Sequence, residues 1–224
     1  MRWQLDYNLA VRHFSIKESL KFGWQHFKKR VWFFVAVVAT VAFIGWLPDE
    51  LRSRLPESAV ASKWFYRIIG ILVTTYVSAG FLRIILDVIE DKQAKYSDIF
   101  KNYKYIFNYW LAEFIAGAAT VVGLVLFIVP GIILAIKFQF ADYFVVDKNQ
   151  NAIQALKSSW RITSGIKWNL FLFGLTLIGI NILGMLALGV GALVTYPVTM
   201  IAQAHVYKLL TAKVNTVKTK KKKV

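Results

Sequence analysis

Two stretches of this chain run far enough without a charge to dictate the solvent around them: Val31–Leu47, 17 residues, and Trp168–Leu188. A helix needs about 20 residues to cross a ~30 Å hydrocarbon layer, with a range of about 17–25. Other apolar blocks nearly match them. Ile68–Leu82 is extended by Trp64–Tyr66 before it and by Ile84–Leu86 beyond Arg83. Tyr109–Val129 is interrupted only by Glu113, and after Pro130-Gly131 the run Gly131–Val146 contains Lys137 and Asp142. Ala192–Leu210, after Gly189-Val190-Gly191, carries only His205 and Lys208. These segments lack the polar face that a soluble bundle would need. The pattern predicts an all-α integral membrane protein with about six transmembrane helices in three hairpins, the second and fourth crossings short. A single polytopic domain would span residues 1–210, with repeat-like units at 15–82, 96–146 and 151–210, and a Lys-rich tail at 211–224.

Charge completes the layout. The chain has 28 Lys and Arg against 12 Asp and Glu, a net +16, although 57% of it is hydrophobic. Seven of the 28 cations precede the first span, five lie between spans two and three, four between spans four and five, and seven in the tail from Lys208 onward. Only Arg52, Arg54 and Lys63 fall on the opposite side, with Arg67 and Lys137 inside spans. The positive-inside rule then expects both termini in the cytoplasm. The first apolar run is long and ends in Pro48-Asp49-Glu50, so it reads as an uncleaved span rather than a signal peptide. The absence of Cys excludes disulfides, thiol chemistry and Cys-ligated metals.

Each inward connection also carries a helix-period stripe, predicting an interfacial amphipathic helix before every hairpin. In the first, Ile16, Leu20, Trp24, Phe27 and Val31 oppose Lys17, Lys21 and Lys28, and Ser15 with Glu18 forms a capping-box pattern. In the second, Tyr96, Ile99, Phe100, Tyr103, Phe107 and Trp110 oppose Lys101, Lys104 and Asn108. In the third, Ile153, Leu156 and Trp160 oppose Lys157 and Arg161, with Asn151 and Gln154 at the start and Gly165 at the stop. Such helices lie in the headgroup plane with their cations toward anionic lipid. Lys21, Trp24, Lys157, Trp160 and Trp168 are the candidate lipid-interface residues. The first and third units also match at an offset of 136: Leu20-Lys21-x-x-Trp24 then Trp32, and Leu156-Lys157-x-x-Trp160 then Trp168. Two readings stand: three copies of one module, or similar residues recurring because interfacial helices need them.

One group of residues carries a resemblance. Pro130-Gly131-Ile132, Lys137, Phe140-Ala141, Asp147, Ala155-Leu156-Lys157-x-Ser159-Trp160, Gly165, Trp168, Gly184, Gly189, Pro197 and Tyr207 resemble the C-terminal half of a widespread family of bacterial multi-pass membrane proteins. That family includes the membrane domain of some glycerophosphodiester phosphodiesterases. The resemblance covers about 80 residues, Val129–Leu210, and implies a bacterial cytoplasmic-membrane location. It does not extend to the phosphodiesterase activity, since membrane segments leave no room here for that catalytic domain.

Motifs for chemistry are sparse. His13, His26 and His205 lack metal-ligand spacing, no phosphate-binding loop is present, and no cofactor or metal is expected. Nucleic acid is disfavoured as a partner, because the Lys220–Lys223 run has no aromatic or fold context for base recognition. The remaining lead is charge at membrane depth, where an ionised group costs about 2.5–3.5 kcal/mol on insertion scales. A tight hairpin about Pro130 would bring Glu113 within a turn of Asp142 with Lys137 nearby, and Asn181, Gln203 and His205 would complete a polar interior. Those six residues form a candidate binding or permeation site, or else a structural ion pair with interhelical hydrogen bonds. The expected role is a non-enzymatic membrane scaffold or accessory protein that engages anionic lipids, alone, as a homo-oligomer or with another membrane protein. The alternative is a small permease or channel using Lys137, Asp142 and Glu113.

Overall fold

A computed structural model describes residues 14–101, 104–187 and 189–221, with side chains up to Ala212. Arg2, Arg12, His13, Tyr103, Leu188, Lys222 and Lys223, used above, lie outside the described residues. Among the described residues the secondary structure is entirely helical.

The first helix, α1 (Ile16–Lys29), starts where the sequence places it: the Ser15 hydroxyl accepts from the Glu18 N–H at 3.2 Å. Its inward line follows the aromatic stripe only in part. Ser19, Gly23 and Phe27 are buried, while Trp24 is 45% exposed. A small residue at the centre lets α1 press on the last helix, α9 (Ala192–Lys221), so closely that a side chain at 23 would meet the Val198 carbonyl and Ala202. Gly23→Ala is therefore expected to cost about 1–2 kcal/mol by overpacking against backbone, measured as a lowered unfolding midpoint in detergent; an unchanged midpoint would refute this contact.

The hairpin of α2 (Val31–Ser53) and α3 (Val60–Ile89) follows. The second crossing, expected to be short, is a 30-residue helix because Trp64, Phe65 and Tyr66 continue it outward and Arg83 pairs with Asp87 at 3.0 Å within it. Its C-terminal half is core, with Phe81, Leu82, Ile84, Ile85 and Leu86 at most 2% exposed. Its N-terminal half and the facing end of α2 present Phe43, Trp46, Trp64, Phe65 and Ile68 outward. Ion pairs gather at the tip, Glu50 with Arg54 at 2.9 Å and Glu57 with Lys63 at 2.8 Å.

The second inward helix is replaced by a 3₁₀ turn at Tyr96–Phe100. The Asp98 carboxylate accepts from the Lys95 N–H and the Lys101 ammonium, both at 2.8 Å, and the Tyr76 hydroxyl donates to the Phe100 carbonyl. Those side chains take up backbone groups that a continuing helix would have used, so α4 (Ile106–Leu126) starts afresh.

The next reversal is at Phe127, which is extended (φ −157°, ψ 136°), rather than at Pro130-Gly131. Pro130 sits in the first turn of α5 (Ile128–Phe138), where its missing N–H has no helical partner to lose. Gly123 lies against Gly131 in this hairpin. Facing positions are thus displaced by about one turn from those of a hairpin centred on Pro130, which brings Asp142 toward the level of Glu113. The helix then breaks at Gln139 and resumes as α6 (Ala141–Lys148).

The third inward helix, α7 (Ala152–Ile162), is capped by Asn151, whose side chain accepts from the Gln154 N–H at 2.9 Å. Its buried face is made mostly of small residues, Ala152, Ala155, Ser158 and Ser159, with Leu156 and Ile162; Ile153 and Trp160 point outward. After Gly165 (φ +89°), α8 (Lys167–Leu186) leads through Gly189 (φ +74°) into α9.

Five segments are long and apolar enough to cross a membrane: Val31–Ser53, Val60–Ile89, Ile106–Leu126, Ile128–Lys148 and Lys167–Leu186. The expected sixth, α9, falls outside this set because Pro197, Gln203, His205 and Lys208 dilute it. It is instead the helix the others surround: it packs against α1, α2, α3, α7 and α8, and Ile201, Ala202, Ala204, Val206 and Tyr207 are wholly buried. Phe127, Ile128 and Leu186, each at least 70% exposed, face outward from the other hairpin tips. Exposed apolar surface of this extent is not that of an ordinary soluble monomer, and the chain has the make-up of a membrane protein.

Candidate functional site

Lys137 is buried at 3% exposure on the last turn of α5. Its ammonium donates to the Ser164 hydroxyl at 2.6 Å and to the Trp160 carbonyl at 3.3 Å, and lies 4.9 Å over the Trp160 ring. These groups stand at the C-terminal end of α7, where unpaired carbonyls concentrate negative potential. A desolvated cation is thereby met by a helix end, a hydroxyl and an aromatic face. This placement corrects the expected approach of Lys137 to Glu113 and Asp142; the lysine turns to α7.

The break between α5 and α6 explains the depth of that contact. A broken helix in hydrocarbon must have its freed backbone groups satisfied by other means. The Ser159 hydroxyl does both: it accepts from the Phe140 N–H at 3.2 Å and donates to the Lys137 carbonyl at 2.7 Å. Ser159 is itself fully buried.

Glu113 on α4 and Asp142 on α6 do come near one another, and the Tyr109 and Thr75 hydroxyls lie within reach of the Glu113 carboxyl. Among the described residues the Tyr143 hydroxyl, buried beside Asp142, has no hydrogen-bond partner. The other polar candidates go elsewhere. The Asn181 amide donates to the Leu177 carbonyl and the Thr199 hydroxyl, both at 3.0 Å. His205 stacks on Phe22 at 3.9 Å, and His26 stacks on the same ring at 3.9 Å. Gln203 is half-buried on α9. The six residues expected to form one polar interior thus do not assemble into one: Glu113 and Asp142 come together, and Lys137, Asn181 and His205 take partners elsewhere. Among the described residues no group of His, Asp and Glu could hold a metal ion.

A cluster that the sequence reading did not assemble joins α3, α6 and α9. The Lys208 ammonium binds Asp147 at 2.6 Å and also Glu90, and the Tyr207 hydroxyl donates to Asp147 at 2.8 Å. Lys148 adds a third partner to Asp147 at 3.0 Å. Lys208 had the look of a tail charge. The signal for its role lay in acidic residues at two other helix ends, which only topology brings together.

The interface residues sit on the surface. Trp24 and Trp160 are 45% and 44% exposed and Trp168 is 68% exposed, while Lys21 and Lys157 are exposed beside them. Lys28 lies 5.6 Å over the Trp24 ring. The offset of 136 extends beyond tryptophans: the caps are Ser15 and Asn151, α1 and α7 begin at Ile16 and Ala152, and α2 and α8 begin at Val31 and Lys167. The inward small residues Gly23 and Ser159 also correspond.

Comparison with known proteins adds one match. A family model described as "Protein of unknown function (DUF975)" matches residues 110–214. The matched segment is rather less than half of the chain. It runs from Trp110 into α9 and holds Lys137, Ser159, Trp160, the Asp147–Lys208 pair and Tyr207. No curated protein and no solved structure matches the chain.

Proposed function

We propose that this chain is a non-enzymatic, lipid-interacting scaffold or accessory protein of the bacterial cytoplasmic membrane, with both termini in the cytoplasm. In this reading α9 is a sixth crossing sheltered by its neighbours, and α1 and α7 lie at the cytoplasmic headgroup level. The observation that carries it is the paired arrangement of α1 and α7. Each has a half-exposed outward tryptophan, Trp24 and Trp160, with an exposed lysine three residues before it at equivalent positions, Lys21 and Lys157. Tryptophan prefers the membrane interface and clustered lysine the anionic leaflet. The coincidence of caps and helix starts at one sequence offset supports descent of α1–α2 and α7–α8 from a common unit. The match of residues 110–214 to a family of unknown function is compatible with this setting and brings no catalytic role.

Native mass spectrometry of the protein extracted from a mixed-lipid membrane tests this. Anionic lipid should be retained in preference to phosphatidylcholine, and the preference should weaken as salt rises from 50 to 500 mM, as screening requires. No enrichment at low salt would sink the reading. The alternative, a permease, would rest on Glu113 and Asp142 with the unpartnered Tyr143 hydroxyl, since Lys137 is engaged on α7.

A further inference from the structure

Glu113 is exposed, yet it stands seven residues into α4, about 10 Å along the helix at ~1.5 Å per residue. In a helix that crosses hydrocarbon, ionisable residues almost always face protein or pair with an opposite charge. Elsewhere at helix ends this chain pairs its acids: Asp87 with Arg83, and Glu90 and Asp147 with Lys208. Among the described residues Glu113 is in no ion pair. The Tyr109 and Thr75 hydroxyls steady its carboxyl, but a carboxylate accepts about four hydrogen bonds, so places for further donors remain. Asp142 brings a second acid nearby and no cation.

The surface around this carboxyl has room for a neighbour. Gly117 lies one turn outward on the same face of α4, as residues four apart do, and a side chain there would meet nothing within 4 Å. Phe114, 61% exposed, flanks this notch, and Leu72, 52% exposed, stands one turn outward of Thr75 on α3. Small residues in a spanning helix let a second backbone approach closely. Within its own hairpins the chain uses glycine in this way, with Gly70 against Pro48, Gly123 against Gly131 and Gly184 against Thr195.

We propose that the face of α4 bearing Glu113 and Gly117 docks a membrane-spanning helix of another protein, one that carries a Lys or Arg at the depth of Glu113. Charge complementarity selects the partner. A carboxylate open to lipid needs a cation, and a long basic side chain on an apolar helix brings one with an otherwise apolar surface. A second copy of this chain does not supply it. Lys137 is engaged on α7, Arg83 is paired, and Arg67 lies eight residues outward of Thr75, roughly 12 Å from that level. This docking rests on the accessory role proposed above and names its partner, without requiring the lipid contacts of α1 and α7.

The test uses the full chain in phosphatidylcholine vesicles, so that no anionic lipid contributes. The probe is a synthetic Leu/Ala helix of about 22 residues, free of tryptophan, with one Lys about 10 Å from one end and a dansyl group at the other. Its companion has Leu in place of the Lys. Energy transfer from the chain's eight tryptophans to the dansyl group measures association. Wild type should bind the Lys helix about 10-fold more tightly than the Leu helix, the scale of polar contacts between model spanning helices. Glu113→Gln keeps an acceptor for Tyr109 and Thr75 and should abolish that preference. The Lys-to-Leu ratio is read within one variant and does not depend on its folded fraction. Gly117→Ile has space within the chain and leaves the carboxyl in place, but should weaken the Lys helix about 10-fold by filling the notch. Val125→Ile, on another face of α4, should leave binding unchanged. No preference for the Lys helix in wild type would overturn the docking while the lipid reading stands. An unchanged preference in Glu113→Gln, or unchanged binding in Gly117→Ile, would place the helix elsewhere and overturn the site. Self-association of wild type without any helix, lost in Glu113→Gln, would assign this face to a second copy and overturn the choice of partner.

Discussion

Ser159→Ala is expected to destabilise the protein by about 3 kcal/mol, more than most single hydroxyl losses in a membrane. The estimate follows from what the hydroxyl touches. Removing it orphans the Phe140 N–H and the Lys137 carbonyl together, and a buried unsatisfied group costs about 1–3 kcal/mol. Interhelical side-chain bonds in membrane proteins average only ~0.6 kcal/mol, because the separated helices find other partners. Here both partners are backbone groups freed by the break at Gln139–Phe140, with no helical neighbour to return to. Reversible unfolding in mixed micelles measures the effect. Thr176→Ala is the control: its hydroxyl returns to the Leu172 carbonyl of its own helix at 2.8 Å, and its loss should change stability by less than about 0.5 kcal/mol. Equal effects in the two variants would refute the bridging role.

Lys208→Met should cost about 2 kcal/mol and also change the response to acid. Breaking a buried ion pair by removing one partner costs about 3–5 kcal/mol. The figure is discounted here because Lys208 is a quarter exposed and Asp147 keeps Tyr207 and Lys148. The acid response comes from Glu90, whose carboxyl is held below the usual value of 4.5 by its hydrogen bonds from Lys208 and then Lys92. Its folded pKa lies below the unfolded one. Its stabilisation is therefore fully present above about pH 4.5 and is lost as pH falls through the folded value. Wild type should lose stability on descending from pH 5 to pH 3, and Lys208→Met should follow a flatter curve over that interval. Parallel curves would show that Lys208 does not hold Glu90.

The sequence was legible wherever the deciding interaction is local. Ser15 and Asn151 start their helices as read, since a cap acts across three residues, and Gly165 and Gly189 take the left-handed backbone that their positions at helix ends suggested. The inward face of α1 was only partly legible. Its stripe includes Phe27, which is buried, and Trp24, which is exposed as an interface residue would be, but periodicity does not single out Gly23, the small residue that close packing against α9 requires. The 3₁₀ turn at Tyr96–Phe100 was masked for a similar reason, because the hydroxyl of Tyr76, some twenty residues earlier, takes the Phe100 carbonyl. Lys137 looked anomalous because hydropathy counts a charge without seeing the helix end that receives it. In the candidate site, proximity of Glu113 and Asp142 could be anticipated from the hairpin, but not the one-turn displacement set by Phe127.

The contact of Gly23 with Val198 and Ala202 joins the first described helix to the last across nearly 180 residues of chain. At roughly 5–20 residues per second of synthesis, α1 waits on the order of ten to forty seconds for the surface it packs against. The hairpins between them can enter the bilayer in that time, but the central seat stays empty until α9 emerges. Assembly of the described helices is therefore closed by α9, and a chain cut short before Val198 would leave every earlier segment arranged around a missing axis.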